Sequence, residues 1–383
     1  MSAHSSIATI VLTANSAKLY GCSQSMMAHA AVLKNAGYNV LVILNENGRL
    51  EDALSARGFP CVVEPIFHFG LRKKWVCADI LIKLTRVFAS RLRFMKCVFS
   101  VLRKEGRPIL HAHSIYCTYA VIAAKLAGSR VVWHIREERI RNWFWTIKKV
   151  VVSMLSDRVV FVSNSIRRQY QIESGRTYTL YNWIENPSEI TRQTNSYPCR
   201  IVFIGAMCAP KGVFEFIEIC RRVAVRKIAF SASMYGEGDP ESIKMIRAEI
   251  ENAEIQDRCT LAGFEDDKAA IYGHADVVLL PSHTEALPRV IMEAMAYGLP
   301  VVASAVGGVP EMVLDGETGF MFSLESLDDA VDAIEKLANS PALRMQMGRS
   351  ARERAKNLFS HDHYLRAVKL IYQALGADKP VHG

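Results

Sequence analysis

Two series of short apolar segments alternate with helical stretches along this chain, and this pattern constrains the fold more than any other feature. The first series contains strand-like runs such as IATIVLTA, NVLVILN, RVVWHI and RVVFVSN, with helical stretches such as SQSMMAHAAVLKNAG between them. Apolar strands separated by helices are typical of a parallel sheet covered on both faces. A second series, which includes RIVFIGA, VVLLPS and PVVAS, follows a polar stretch near residues 185–199. The sequence therefore predicts two Rossmann-like α/β domains that face each other across a cleft.

The length of 383 residues agrees with this division, since it suits two domains of roughly 150 to 200 residues each. We place the first domain at residues 1–190 and the second from residue 191 to about residue 360, with the polar stretch as the linker. In open α/β sheets, ligands bind outside the carboxyl ends of the strands. The residues that follow each predicted strand are therefore the first candidates for a binding site.

Basic residues are concentrated in one segment of the first domain. The formal net charge is +9, and residues 71–107 hold eleven Lys and Arg against two acids, Asp79 and Glu105. On a helical wheel most of these basic side chains share one half, and Arg91 is the main exception. The other half is apolar and holds Ile80, Leu81, Leu84, Val87, Phe88, Leu92, Met95, Val98, Phe99 and Leu102.

This amphipathic segment has more than one interpretation. It can pack on its own domain and leave its basic face in solvent, or it can bind an anionic membrane surface. Nucleic acid ranks lowest as a partner, because no recognisable nucleic-acid module or aromatic platform accompanies the basic residues.

Cysteine usage and hydropathy indicate an intracellular chain. The nine cysteines are odd in number, form no C-x-x-C pair and mostly lie in apolar runs. This usage is typical of reduced structural cysteines and not of disulfides or a zinc site. The N-terminus lacks the charged start and long apolar core of a secretory signal, and no apolar run is long enough for a transmembrane helix. We expect a cytoplasmic protein.

Two glutamates, Glu285 and Glu293, flank a strand-to-helix turn in the stretch LLPSHTEALPRVIMEAMAYGLPVVAS. Pro288 suits the first helical turn, because its missing N–H would be unpaired there anyway. Free amides and the dipole at a helix start favour phosphate, whereas carboxylates accept hydrogen bonds from sugar hydroxyls. The arrangement fits a nucleotide-sugar, which has hydroxyls on both sides of a diphosphate. Alternatively, Glu285 is a capping acid and Glu293 a solvated one.

His111 and His113 flank Ala112 at the end of another predicted strand. Alternation along a strand can direct one ring to the core and the other to the cleft. A metal site at this pair is not expected, because no third ligand lies nearby in the sequence.

The stretch around the two glutamates resembles the Glu-x7-Glu motif of family-four retaining glycosyltransferases. The segments KGVFEFIE, YGEGDPE, LAGFEDDKAAIYGHADVVLLPS and VVASAVGGVPEMVLDGETGFMF resemble the C-terminal domain of that family, in the same order. Segments of the first half, such as ILHAHS and VVFVSNSIRRQY, correspond more loosely. The resemblance implies the GT-B fold, with an N-terminal acceptor domain, a C-terminal donor domain over 191–360, and a helix over 361–383 that crosses back to the first domain.

Carried over residue by residue, the resemblance implies a donor site that needs no metal and no cofactor. The catalytic candidates are Glu285 beside the donor sugar, Lys211 on the diphosphate and His113 beneath the sugar near the acceptor. Glu293 would bind the ribose hydroxyls. The remaining positions implied to line the nucleotide-sugar are Gly21, Gly236, Phe264, Ala286, Leu287 and Pro288. Lysine, backbone amides and a helix dipole can supply the charge stabilisation.

One position departs from the family pattern. The family has Gly-Arg at the start of the phosphate loop, whereas this chain has Gly205 and Ala206 in IGAMCAPKG. The loss of one cation weakens stabilisation of the leaving group, unless Arg289 or a basic residue of the first domain substitutes.

The expected function is transfer of a hexosyl or N-acetylhexosaminyl group from a UDP- or GDP-linked sugar to a lipid-linked or saccharide acceptor. The expected setting is assembly of surface polysaccharide or lipopolysaccharide at the inner face of a membrane. The alternatives are a GT-B sugar-nucleotide epimerase and a catalytically weak homologue that binds nucleotide-sugars.

Overall fold

The computed structural model describes residues 8–17, 21–67, 77–138, 143–172, 174–185 and 197–376. The chain divides into two compact units, Met1–Tyr181 together with Tyr364–Gly383, and Asn182–His363. Most of the predicted linker, residues 186–196, lies outside the described residues. Each unit contains one parallel sheet, which confirms the predicted α/β class with two Rossmann-like domains.

The first unit is built on a seven-stranded sheet in the order β3-β2-β1-β4-β5-β6-β7. Its strands are β1 (Thr9–Ala14), β2 (Asn39–Leu44), β3 (Cys61–Val63), β4 (Ile109–Ala112), β5 (Val131–Ile135), β6 (Arg158–Phe161) and β7 (Thr177–Thr179). Its helices before residue 182 are α1 (Gly21–Asn35), α2 (Arg49–Ala56), α3 (Cys77–Lys104), α4 (Thr118–Ala127), α5 (Trp143–Leu155) and α6 (Asn164–Tyr170). The central strands are buried on both faces, because helices cover the sheet on either side.

The second unit is built on a six-stranded sheet in the order β10-β9-β8-β11-β12-β13. Its strands are β8 (Cys199–Ile204), β9 (Phe230–Tyr235), β10 (Cys259–Gly263), β11 (Val277–Leu280), β12 (Val301–Ser304) and β13 (Gly319–Phe322). Its helices are α7 (Val213–Val225), α8 (Pro240–Asn252), α9 (Lys268–Gly273), α10 (Arg289–Ala296), α11 (Val309–Met312), α12 (Leu327–Asn339) and α13 (Pro341–Leu358). The last helix, α14 (His361–Gln373), belongs to the first unit from Tyr364 onward.

Each sheet has a point where the strand order reverses. In the first sheet it lies between β1 and β4, and in the second between β8 and β11. Chain segments leave such neighbouring strands in opposite directions and open a crevice at the carboxyl ends, where α/β proteins bind ligands. The two switch points are therefore the places to look for functional side chains.

Residues 77–104 of the basic amphipathic segment form α3, which packs on α4, and residues 71–76 lie outside the described residues. Its apolar half is divided between two environments. Val87, Val98 and Leu102 are buried, whereas Phe88, Leu92 and Phe99 are 66%, 41% and 38% exposed. The side chains of Ile80, Leu81 and Leu84 lie outside the described residues. No helix in the described part of the chain is long and apolar enough to cross a membrane.

Candidate active site

The switch point of the second sheet brings together Lys211 and Glu285, two of the predicted catalytic residues. Lys211 ends a single 3₁₀ turn that follows β8, and Glu285 lies in the segment that follows β11. The Lys211 ammonium donates a hydrogen bond of 2.7 Å to Oε1 of Glu285, and the Ser282 hydroxyl donates one of 2.9 Å to the same oxygen. Glu285 is only 8% exposed, so a cation holds a buried carboxylate at the carboxyl ends of the central strands.

Two glycines allow the segments around this pair to approach each other closely. Gly212 has a φ of 76°, and a Cβ added there would stand 1.8 Å from the carbonyl oxygen of Pro281. Gly236, predicted to line the donor, has a φ of 148°, and its Cβ would stand 1.8 Å from the carbonyl oxygen of Gly205. Both positions need glycine, because backbone atoms fill the space of a side chain and φ is in the left-handed region.

Glu293 forms a second cluster one helix turn into α10. Its Oε1 accepts hydrogen bonds from the Lys268 ammonium and, at 3.2 Å, from Nη2 of Arg289. Its Oε2 accepts a 3.0 Å hydrogen bond from the hydroxyl of Tyr272, which is fully buried. The interpretation of Glu293 as a solvated acid is therefore wrong, since it is 9% exposed and accepts from three donors.

The turn between the two glutamates is tightly packed. Pro288 directly precedes α10 as its N-cap, and Leu287 is buried. A Cβ on Gly308 would stand 2.3 Å from the carbonyl oxygen of Ala286, and the Gly308 amide donates to the carbonyl oxygen of Glu285 at 2.9 Å. Glu285 does not cap α10, contrary to the alternative interpretation, because this helix has no side-chain cap hydrogen bond.

Phe264 and Ala206 lie on the surface of the second unit. Phe264 follows β10 and is 49% exposed, so its ring is accessible to a ligand. Ala206 is also exposed. Arg289, considered as a substitute for the missing family arginine, donates to Glu293 instead of standing free for a diphosphate.

Gly21 and His113, the predicted site residues of the first unit, belong to different elements. Gly21 is the first residue of α1. His113 directly follows β4 at the switch point of the first sheet and is 3% exposed. Arg136 places Nη2 3.2 Å from Nδ1 of His113. Because arginine can only donate, Nδ1 is the acceptor and Nε2 of the neutral ring carries the proton. That Nε2 is buried without a hydrogen-bond partner among the described residues.

His113 lies beside a buried histidine relay that connects to α14. His29 is hydrogen bonded through Nδ1 to the Tyr364 hydroxyl at 2.7 Å and through Nε2 to the Tyr372 hydroxyl at 2.9 Å. Tyr372 also contacts Nδ1 of His111 at 2.6 Å, and Nε2 of His111 lies 3.3 Å from His134. The ring of His113 stacks on His111 with centroids 4.4 Å apart. Both His111 and His113 are therefore buried, contrary to the expectation that one would face the core and the other the cleft.

Burial keeps these histidines neutral. It lowers the pKa of His29 to about 3, with the Arg136 guanidinium as a further cause. Burial also lowers the pKa of His111, His113 and His134 well below the usual range, and neighbouring rings and Arg136 add to the effect. A neutral ring can donate one hydrogen bond and accept another, as the relay requires.

The relay also brings a third histidine, His29, beside His111 and His113, which could not be foreseen from the sequence. Ring nitrogens of His29, His111 and His113 all lie within 4.8 Å of one another, a separation that could hold a metal ion. Two features oppose a metal there. Both nitrogens of His29 already pair with tyrosine hydroxyls, and the Arg136 guanidinium is in contact with His113.

Ser282, Lys268 and Tyr272 were not among the predicted site residues. A sequence signal existed for two of them. Asp267 is a typical N-cap residue and marks the start of α9, and within that helix Lys268 and Tyr272, four residues apart, lie on one face. Their contact with Glu293 depends on tertiary structure and has no local signature. Ser282 stands directly before the glutamate turn, at the end of the buried run VVLLPS.

The second unit matches a known protein family. Residues 189–354 match the family model of glycosyl transferases group 1. The chain carries a group 1 glycosyltransferase domain. That domain contains Lys211, Glu285 and Glu293, and both of their hydrogen-bonded clusters.

Relatives of the chain differ in what they act on. It is 24% identical over 292 residues to the N-acetyl-alpha-D-glucosaminyl L-malate synthase of Bacillus anthracis, covering 71% of this chain and 76% of the relative. It is 33% identical over 132 residues to WcaL of Salmonella typhimurium, a glycosyltransferase assigned to colanic acid biosynthesis, covering 32% of each. Its structure aligns with Anabaena HepE in complex with UDP-glucose at a TM-score of 0.78 and 18% identity, over 97% of this chain and 100% of that one. This structural likeness shows a GT-B fold.

Proposed function

We propose that this glycosyltransferase is a retaining enzyme of the family-four type that transfers a hexosyl or N-acetylhexosaminyl group from a UDP- or GDP-linked sugar. The observation that carries the proposal is the Lys211–Glu285 pair at the switch point of the group 1 domain. Glu293, eight residues after Glu285 in the sequence, forms a second hydrogen-bonded cluster. The cation suits the diphosphate of a donor molecule, and the two carboxylates suit the hydroxyls of its sugar and of its ribose.

Lys211 is the group that stabilises the leaving nucleoside diphosphate. Its ammonium is held against Glu285 before the donor binds, and the side chain is 34% exposed, so its other N–H donors are accessible to a diphosphate oxygen. Transfer then breaks the bond between the anomeric carbon and the phosphate oxygen, and negative charge develops on that oxygen. A fixed cation at this point lowers the barrier, because it interacts more strongly with the transition state than with the bound donor.

Glu285 is the group that orients the donor sugar. Lys211 and Ser282 both donate to its Oε1, which leaves Oε2 to accept from sugar hydroxyls. In the same-face mechanism of the family, the leaving phosphate takes the proton of the acceptor hydroxyl. No side-chain nucleophile is needed, and Glu285 acts by position.

Glu293 binds the ribose in this proposal. A carboxylate has roughly four acceptor sites, and Glu293 already accepts from Lys268, Arg289 and Tyr272. Two ribose hydroxyls therefore require one donor to withdraw. Lys268 is the candidate, because its side chain is 40% exposed while that of Arg289 is 15% exposed.

In the first unit, His113 is a hydrogen-bond donor in this proposal and not a base. Its Nδ1 accepts from Arg136, so the buried Nε2–H is the only donor that the ring can offer. No metal or cofactor enters the mechanism that we propose, since Lys211, the backbone amides before α10 and the helix dipole supply the positive charge.

We further propose that the acceptor is lipid-linked or a saccharide of a surface polysaccharide or lipopolysaccharide, and that the enzyme works on an anionic membrane surface at the inner face. Phe88, Leu92 and Phe99 recur on one face of α3 and remain exposed. Arg93, Lys96 and Arg103 are exposed beside this apolar strip. Exposed aromatic and aliphatic side chains bordered by basic ones are typical of helices at a membrane interface.

A transfer assay tests the proposed function. Purified full-length protein is incubated with UDP- and GDP-linked glucose, galactose, N-acetylglucosamine and mannose, in the presence of extracted membrane lipids. We expect release of one nucleoside diphosphate and a product with the same anomeric configuration as the donor, as read by NMR. An inverted product would exclude the retaining mechanism, and nucleotide release without any glycosylated product would favour the weakly active homologue.

A further inference from the structure

The switch point of the first sheet contains a cavity of about 280 Å³, and no residue of the proposed donor site lines it. It opens where β1 and β2 end and is closed on the other side by α3 and α4. Its polar lining consists of Thr13, Asn15, Asn45, Arg91, Tyr116 and Tyr119. Because the carboxyl ends of strands at a switch point are where α/β sheets bind ligands, this cavity is placed as a binding site would be.

Three buried polar atoms in this cavity have no hydrogen-bond partner among the described residues. They are the Thr13 hydroxyl, Oδ1 of Asn45 and Nε of Arg91. Thr13 and Asn45 are 1% and 5% exposed. Buried polar groups in folded proteins are nearly always paired, so three orphans around one cavity indicate that a polar ligand completes them.

Arg91 determines the charge of that ligand. It is the basic residue that breaks the pattern of the helical wheel, and it lines the cavity between α3 and α4. Within the described residues no carboxylate lies at ion-pair distance from it, whereas Arg93, two positions along, pairs with Glu64 at 3.5 Å. The Arg91 guanidinium lies 5.0 Å from the ring centroid of Tyr119, which fixes its plane by a cation–π contact. An oriented guanidinium without an anion matches a carboxylate or a phosphate.

The other two unpaired atoms, on Thr13 and Asn45, determine which groups the ligand carries besides its anion. Nδ2 of Asn45 donates to the carbonyl oxygen of Asn15 at 3.4 Å, so Oδ1 is an unmet acceptor that requires a ligand hydroxyl. The Thr13 hydroxyl can donate to a ligand oxygen. The volume is at the small end of the roughly 300–1,000 Å³ typical of ligand sites, which suits one sugar ring or a small hydroxy acid.

We propose that this cavity binds the acceptor, and that the acceptor carries a carboxylate or phosphate held by Arg91 and a hydroxyl held by Asn45. This inference rests on the proposed glycosyl transfer, since it assigns the second substrate of the same reaction. It narrows the acceptor from any saccharide to an acidic one, such as a uronic acid or a sugar phosphate.

Calorimetry on the full-length protein tests the proposal with three probes that share one ring. Glucuronate carries a carboxylate, glucose 6-phosphate carries a phosphate, and glucose carries neither. We expect one of the two anionic probes to bind and glucose not to bind, and the stronger anion identifies the group. In Arg91→Gln the affinity should fall roughly 10- to 100-fold, because a hydrogen-bonded charge is removed. Arg91→Lys should be intermediate, since it retains the charge and loses the fork.

The matched control is Arg93→Gln, which makes the same charge change on the same helix outside the cavity and should leave binding unchanged. Thermal melts confirm that each variant is folded, and Thr13→Val supplies a second, nearly isosteric change that should weaken binding. The proposal is overturned when folded wild type binds neither anionic probe, when glucose binds equally well, or when Arg93→Gln loses as much affinity as Arg91→Gln. UDP and GDP are titrated in parallel. Nucleotide binding without anion binding removes only this proposal, and the reverse removes the proposed donor site.

Discussion

Nζ of Lys211 lies 2.7 Å from Oε1 of Glu285, although the two residues are 74 positions apart in the chain. They meet because β8 and β11 are neighbours in the sheet, so that the segments following these strands converge at one edge. The ammonium and the carboxylate thereby hold each other in place before a donor arrives. This preorganisation is what electrostatic catalysis requires.

The two members of this pair should fail in different ways when replaced. Lys211→Met should weaken UDP or GDP binding and lower kcat by about 10²–10³, the usual effect of removing one donor from a developing charge. Glu285→Gln should retain nucleotide affinity and lose transfer, because Glu285 contacts the sugar and not the nucleotide in the proposed donor site. Calorimetry with the nucleotide and an assay of its release separate the two effects. Lys244→Met, on the exposed face of α8, is the control. Equal losses of nucleotide affinity in both site variants would contradict the assigned roles.

Tyr272→Phe should lower nucleotide affinity without unfolding the protein. The substitution removes the 3.0 Å hydrogen bond to Oε2 of Glu293 and leaves the ring in its buried position. This hydrogen bond contributes about 1.5–3 kcal/mol and orients the Glu293 carboxylate. Because it is not a contact with the nucleotide, only part of it is lost from binding, and the affinity should fall by roughly 10-fold or less. Tyr297→Phe is the matched control, because its ring stacks on Tyr272 at 5.0 Å. An unchanged dissociation constant in Tyr272→Phe would mean that Glu293 does not depend on this donor.

Ala206→Arg should strengthen the donor site. Ala206 is exposed where the family that the sequence resembles has an arginine, and Arg289 is already engaged with Glu293. A restored cation near the diphosphate should raise nucleotide affinity by about 10-fold, on the order of one charge-assisted hydrogen bond. The comparison is with Ala209→Arg, another exposed alanine of the same loop. If both variants gain equally, the effect is general electrostatics and position 206 has no special role.

Acid should destabilise the first unit before it affects the carboxylates. The folded pKa of His29 is about 3, below its usual value of 6.5, so the unfolded chain binds more protons between these values. Stability is therefore complete above pH 6.5 and falls by about 1.4 kcal/mol per pH unit below it for this residue alone. His111, His113 and His134 act in the same direction.

Chemical denaturation at pH 7.5, 6.5, 5.5 and 5.0 measures this dependence, above the range in which acidic side chains begin to titrate. His29→Gln should be less stable at pH 7.5 and should lose less stability on acidification. His363→Gln, at an exposed position, should keep the wild-type slope. A His29→Gln slope identical to wild type would show that His29 does not contribute to acid stability.

Replacing the exposed apolar strip of α3 should release the protein from anionic vesicles. In the double variant Phe88→Ser and Leu92→Ser, vesicle binding should fall by 10-fold or more, because each side chain contributes about 1.5–3 kcal/mol when buried in an apolar phase. Co-sedimentation with vesicles that contain phosphatidylserine measures this. Leu126→Ser, on α4 and 68% exposed in wild type, is the control. No preference of the wild type for anionic over neutral vesicles would remove the membrane proposal.

Local patterns in the sequence are enough to predict most of the two sheets. The runs IATIVLTA, NVLVILN and VVLLPS form β1, β2 and β11, because continuous apolar stretches of this length are buried on both faces of a parallel sheet. The edge strand β13 (Gly319–Phe322) is not predicted as a strand, since it is short and begins with glycine, a residue depleted in strands.

The site is only partly predictable, because its hydrogen bonds join distant segments. The spacing of Glu285 and Glu293 is local and visible in the sequence, whereas the contacts of Glu293 with Lys268 and Tyr272 exist only once α9 packs beside α10. His29 similarly meets Tyr364 across 335 positions. Arg91 is the exception, because its departure from the basic half of the helical wheel is visible in the sequence alone.

Titration of UDP, GDP and ADP into wild type and Glu293→Ala tests the central claim most directly, since it asks whether the glutamate cluster of the group 1 domain binds a nucleotide. Glu317→Ala, at an exposed position of the same unit, is the control. We predict that wild type and Glu317→Ala bind one of the three nucleotides selectively, and that Glu293→Ala binds it at least about 10-fold more weakly. Absence of binding by the folded wild type, or equal binding by Glu293→Ala, would contradict the donor site.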